Sequence, residues 1–266
     1  MTALTLILAA TLIMSGIMFA VWLIALRLGN AGIVDIAWAG GFSVLAAFYA
    51  GAAGGNPTRR LLVTLMVGLW SLRLARYLYR RVRAHHPVED GRYAQLRREW
   101  GSQFNVKLLF FFQLQALLNV VLSLPLLLAG LNRTPYLYAI EWFACALWAT
   151  ALVGEWLADT QLERFKANPD NRGRVCEEGL WRYSRHPNYF FEWLVWVSYF
   201  LFASASAYGL LTIYCPALVL YFLLRVTGIP VTEQQALRSK GEAYRRYRGT
   251  TSPFVPWFRR SSGSVS

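Results

Sequence analysis

Leu4-Thr5-Leu6-Ile7-Leu8-Ala9-Ala10-Thr11-Leu12-Ile13-Met14-Ser15-Gly16-Ile17-Met18-Phe19-Ala20-Val21-Trp22-Leu23-Ile24-Ala25-Leu26 contains no charged residue. A bilayer's hydrocarbon core, about 30 Å thick, takes roughly 20 mostly apolar residues per helical crossing, and this run supplies them. No Lys or Arg precedes it, and its apolar run exceeds the roughly 7–15 residues of a signal peptide, so it is expected to stay as a helix. Similar runs recur at Ile33 to Ala52, Leu61 to Leu78, Val106 to Ala129, Leu137 to Leu157, Tyr189 to Ala203 and Ala207 to Leu224. The expected class is therefore all-α: a polytopic integral membrane protein of seven transmembrane helices. The composition of the 266 residues agrees, at 56% apolar and only 15% charged. Disordered and collagenous chains are far less apolar, and three cysteines are too few for a disulfide scaffold.

The net charge of +13 would suggest nucleic acid in a soluble protein. Here topology explains it. The connections 79–106, 160–187 and 225–266 hold 20 of the 27 Lys and Arg, and with seven spans all three fall on one face. The positive-inside rule then predicts the N-terminus outside and the C-terminus in the cytoplasm. The expected location is a multi-pass integral membrane protein, of the inner membrane in a bacterium. Its expected partners are the lipid bilayer and a lipophilic substrate, with no nucleic acid and no obligate protein partner.

Cys145, Cys176 and Cys215 show no metal-ligand spacing, so no metal site is expected. His85 and His86 read as solvated. The Ser-rich end from Ser261 to Ser266 is expected to fray, in a flexible tail at 259–266.

Charged residues inside or at the ends of spans mark function, because each costs about 2.5–3.5 kcal/mol at a bilayer centre unless it meets a partner or water. Asp35, Arg73, Arg76, Glu141, Glu155, Asp159, Glu192 and Arg225 are such residues. Most sit at cytosolic ends, as around a polar cavity opening to the cytoplasm. The connection from Asp159 to Tyr189 is the densest signal. Pro187 suits the first turn of a helix whose free N–H groups would lie beside Arg174, Arg182 and Arg185, an expected anion site.

The run Gly179-Leu180-Trp181-Arg182-Tyr183-Ser184-Arg185-His186-Pro187-Asn188-Tyr189-Phe190-Phe191-Glu192 follows Asp159. After it come Thr227-Gly228-Ile229-Pro230, Glu233, Tyr244, Tyr247 and Pro253-Phe254-Val255-Pro256-Trp257. Together they resemble the C-terminal half of the steroid 5-alpha-reductase family in its bacterial branch. Asp35-Ile36-Ala37-Trp38, Trp70-Ser71-Leu72-Arg73-Leu74 and Glu89-Asp90-Gly91-Arg92-Tyr93 extend the likeness over residues 30 to 257.

The resemblance implies a single membrane-embedded reductase domain, with substrate-side helices in 1–130 and a cofactor-binding half in 131–258. The implied reaction is NADPH-dependent reduction of the carbon–carbon double bond of a 3-oxo-4-ene steroid or similar lipophilic enone. The family's cofactor pocket falls on Asp159, Lys166, Arg172, Arg174, Tyr183, Arg185, His186, Asn188, Glu192, Arg225, Glu233 and Tyr244, with Arg73 and Tyr77 from the third span. Arginine and lysine suit phosphates, and no Gly-x-G-x-x-Gly motif after a strand offers a Rossmann alternative. Family members set a glutamate and a tyrosine near the substrate carbonyl. The matching catalytic places here are Asp35 and Trp70, with Arg73 close by, and Trp70 cannot donate a phenolic proton.

Two other classes remain open. Arg185-His186-Pro187-Asn188-Tyr189 with the later Glu and Tyr residues also resembles membrane methyltransferases of the isoprenylcysteine and phospholipid type, which use S-adenosylmethionine. A lipid transporter would show an inverted repeat or paired broken helices, and none is visible in the sequence.

Overall fold

The computed structural model describes residues 2–85 and 88–259, without the side chain of His85. The solvated reading of His85 and His86 and the fraying of Ser261 to Ser266 lie outside what is described. Among the described residues ten α-helices follow one another: α1 Ala3–Leu28, α2 Ile33–Ala52, α3 Pro57–His85, α4 Gly91–Trp100, α5 Phe104–Leu122, α6 Leu124–Leu131, α7 Ala139–Ala167, α8 Pro187–Ser204, α9 Tyr214–Tyr221 and α10 Ile229–Thr250. Among the described residues there is no β-strand, and Ser184 and Ser252 form an isolated backbone bridge.

Among the described residues, six segments hold helices long and apolar enough to cross a membrane: Ala3–Leu28, Ile33–Ala52, Pro57–Ala84, Gly91–Leu131, Ala139–Ala167 and Gly209–Thr250. The stretch expected as a further span, Tyr189 to Ala203, is helical as part of α8, which is not among these six; its first two turns carry the polar Asn188 and Glu192. The span expected at Val106 to Ala129 is two helices. Pro125 has no N–H for a continuing ladder, so the chain breaks at Ser123, whose hydroxyl bonds the carbonyl of Val120 at 2.8 Å.

The chain divides into two compact units, 1–138 with 202–212, and 139–201 with 213–266. In the first, α1 packs on α2 and α5, and α2 packs on α3. Small and polar residues bring these helices close, as expected where the surrounding lipid removes the usual hydrophobic incentive. A Cβ on Gly41 would lie 2.5 Å from Met14 Cε, and Ser71 Oγ donates to the carbonyl of Ala39 at 2.5 Å. At the end where α2 turns into α3, buried Arg59 donates to the carbonyls of Asn132, Thr134 and Tyr136. Those carbonyls have no helical partner, so the guanidinium supplies one.

In the second unit α7 and α8 meet through Gly154, where a Cβ would lie 2.4 Å from the Phe191 ring. Trp181 Nε1 donates to the carbonyl of Ala158 at 2.9 Å and fixes the returning chain against α7. Helix α10 is polar by comparison, with Arg238, Lys240, Arg245, Arg246 and Arg248 along it.

Candidate functional site

In the second unit the segment 168–186 leaves α7 and re-enters at α8. Asn168 opens it by accepting from Asp170 N, and Ser184 closes it by accepting from His186 N at 3.1 Å. Beyond α10 the chain turns back along this segment. Arg185 N donates to the carbonyl of Ser252, Ser184 Oγ to that of Phe254, and Trp257 N to that of Tyr183. The strap 251–259 is thus sewn to the mouth of α8 by main-chain and serine hydrogen bonds.

A cavity of about 600 Å³ lies between the strap, α10 and the end of α7, walled by Phe165, Arg174, Glu177, Glu178, Arg246, Tyr247 and Arg259. Arg259 bridges to Glu177, and its Nε donates to Thr251 Oγ1 at 3.2 Å. A neighbouring buried thiol, Cys176, has its pKa pushed up by burial, so it stays protonated at neutral pH.

Among the expected cofactor residues, Arg174 lines this cavity. Asn188 Nδ2 donates to Asp159 Oδ1 at 3.2 Å, joining the first turn of α8 to α7. Glu192, one turn on, accepts from Trp196 Nε1 at 3.0 Å. Lys166, Arg172 and Arg225 are exposed, and half-exposed Tyr183 packs edge-on against Phe258.

Arg185 departs from expectation. Instead of facing an anion at the mouth of α8, its guanidinium turns inward and donates to Glu233 Oε1 at 2.7 Å and to the carbonyls of Arg248 and Thr251. Its charge is neutralised inside the protein. His186 lies against the same carboxylate, with Nε2 3.5 Å from Glu233 Oε1, and stacks on Tyr189 at 5.4 Å. Burial depresses the His186 pKa and outweighs the pull of Glu233. Tyr244 is buried beside them. These four residues anchor α10 to the start of α8. Arg259, where the expected tail begins, is tied to Glu177 and Thr251.

In the first unit Asp35, expected in apolar surroundings, meets two polar partners. It accepts from Tyr93 Oη at 2.7 Å and from Arg92 Nη2 at 2.8 Å. It also lies in the first turn of α2, where the helix dipole favours negative charge. Asp90 caps α4 and binds Arg92 and Arg81. Burial alone would raise the Asp90 pKa, but those bonds and charges hold it down to about 2. Glu89 accepts from Ala31 N and pairs with Arg97, so the Glu89–Tyr93 segment clasps the start of α2.

Trp70 is fully buried against Phe42, at 5.5 Å between ring centroids. It is a packing residue on the α2–α3 seam. The contacts Ser43–Ser71 and Thr64–Ala46 set an antiparallel register that puts Asp35 level with the turn carrying Tyr77. Arg73 is half-buried one turn before the 40%-exposed Tyr77.

The sequence reading missed Tyr93 as a site residue, although it stands in the quoted Glu89–Tyr93 motif. It also missed Arg246 and Arg259, whose arginine-rich surroundings read only as topological charge.

No solved structure matches the chain. "Uncharacterized protein C594.04c" of Schizosaccharomyces pombe (strain 972 / ATCC 24843) is 28% identical over 267 residues, covering 88% of this chain and 75% of that protein. Residues 21–251 match the family described as "Protein of unknown function (DUF1295)", and the chain belongs to it.

Proposed function

We propose that the chain is an NADPH-dependent reductase acting on the carbon–carbon double bond of a 3-oxo-4-ene steroid or similar lipophilic enone, akin to bacterial steroid 5-alpha-reductases. The proposal includes seven crossings, with α8 as the extra one, the N-terminus outside and the C-terminus in the cytoplasm. The observation that carries it is the cavity of the second unit. Three guanidinium groups, of Arg174, Arg246 and Arg259, face it beside the carboxylates of Glu177 and Glu178. Guanidinium forks suit phosphate oxygens, and carboxylates suit ribose hydroxyls, so the donor set fits a phosphorylated dinucleotide.

When bound, NADPH supplies the hydride that the β-carbon of an enone accepts. The chain's own part is to hold the cofactor. Arg174 and its neighbours bind phosphate, and Asn188, held by Asp159, offers its remaining amide capacity to the polar groups of the cofactor. The α-carbon then takes a proton from water.

The test is thermal unfolding of the purified protein with NADPH or S-adenosylmethionine, because a ligand of the native state raises apparent stability by mass action. NADPH should raise the midpoint, and a 3-oxo-4-ene steroid should then be consumed with NADPH oxidation. Stabilisation by S-adenosylmethionine with none by NADPH would replace the reductase by the methyltransferase.

A further inference from the structure

The wall of the cavity contributed by the end of the chain holds two arginines that no sequence motif singled out. Arg246 is exposed on the last turns of α10. Arg259 crosses from the strap, with its guanidinium carbon 5.8 Å from the Tyr247 ring centre, and ends on Glu177. Arg174 faces them from the 168–186 segment. We propose that Arg246 and Arg259, with Arg174, seat the 2′-phosphate of NADPH and so select NADPH over NADH, and that Glu177 occupies Arg259 until that phosphate arrives. The inference rests on the reductase reading and names the residues behind its cofactor preference.

Charge and position both favour the 2′-phosphate over the bridging pyrophosphate. A phosphomonoester carries roughly −1.5 to −2 charges near neutrality and three terminal oxygens, enough to engage several guanidinium forks at once. The cavity is also at the polar end of the unit. Phe165 on its wall lies six residues beyond Asp159 along α7, about 9 Å at 1.5 Å per residue, and the apolar stretch of α7 lies on the far side of Asp159. The ring that must meet a lipophilic substrate belongs toward Asn188 and Glu192, and the opposite end of an extended dinucleotide then falls among the arginines. Tyr247 fixes this wall, since its hydroxyl donates to the carbonyl of Trp181 at 2.5 Å.

The experiment titrates purified full-length protein with NADPH and with NADH by calorimetry. It compares wild type with Arg246→Glu, Arg259→Ala and, as a control on the outer face of α10, Arg245→Glu. Arg246 and Arg245 are both exposed, so their variants retain the fold, and thermal unfolding checks Arg259→Ala. Wild type should prefer NADPH. Arg246→Glu and Arg259→Ala should each weaken NADPH by roughly tenfold or more while NADH changes by less than about twofold, and the control should match wild type. Tight NADPH binding that neither variant disturbs overturns this assignment and leaves the reductase reading standing. An equal loss for NADPH and NADH also overturns it, moving the arginines to the pyrophosphate. Failure of wild type to bind NADPH overturns both.

Discussion

Tyr93 Oη donates to Asp35 Oδ1 across 2.7 Å, and Tyr93 is only 3% exposed. A buried phenol without this acceptor would lose a hydrogen bond to a charged group, and Asp35 would keep only Arg92. A double-mutant cycle of Tyr93→Phe and Asp35→Asn, read by thermal unfolding in detergent, should return a coupling of about 1.5–3 kcal/mol. A coupling near zero would show that the Tyr93–Asp35 bond does not hold α4 against α2.

His186 predicts an acid limit to stability. Its pKa is depressed in the folded protein, chiefly by burial, while the unfolded chain titrates near 6.5. Between those values the unfolded state binds the proton that the native state refuses. The stabilising contribution is therefore complete above about pH 6.5 and is lost as the pH falls below it. Unfolding midpoints measured from pH 7.5 down to 5 should decline for wild type and decline less for His186→Gln. Parallel curves would remove His186 as the cause.

The apolar spans were legible because each is a local property of about 20 consecutive residues. Partners were not. Arg185 reads in sequence as one more cation at a helix mouth, yet its fate is set by Glu233 and Thr251, 48 and 66 residues away. Only the fold reveals that its charge is already matched. Asp35 misled in the opposite direction, because its neighbours along the chain are apolar while its actual partners arrive from α4, 57 and 58 residues on. Arg174 and Asn188 were readable through the dense local pattern around Pro187. Arg259 was hidden by its position next to a low-complexity tail.

Gly154 is where α7 lets the Phe191 ring through, and a Cβ there would overlap the ring edge at 2.4–2.6 Å. Gly154→Ala should therefore destabilise the protein by about 1–3 kcal/mol, despite alanine's better helix propensity. Phe191→Leu in the same chain should recover part of the loss. A stabilised Gly154→Ala protein would mean that the ring moves aside freely.

Asn188 carries the most specific expectation for the cofactor. Its amide has two donor hydrogens and a two-lone-pair oxygen, and the structure uses one of each, toward Asp159 Oδ1 and from Tyr189 N. One donor and one acceptor remain, the pairing that a carboxamide or a ribose hydroxyl requires. Asn188→Ala deletes both and should weaken NADPH by about 1–3 kcal/mol while the protein still inserts and unfolds cooperatively. Asn188→Asp tests the same point by charge, since it sets a second carboxylate against Asp159 and removes the donor. It should bind NADPH less well than the alanine variant, and the deficit should shrink in high salt as the repulsion is screened. Calorimetry on the three proteins decides the matter: NADPH affinity that is equal in all of them would make Asn188 a helix-start residue, capping α8 and nothing more.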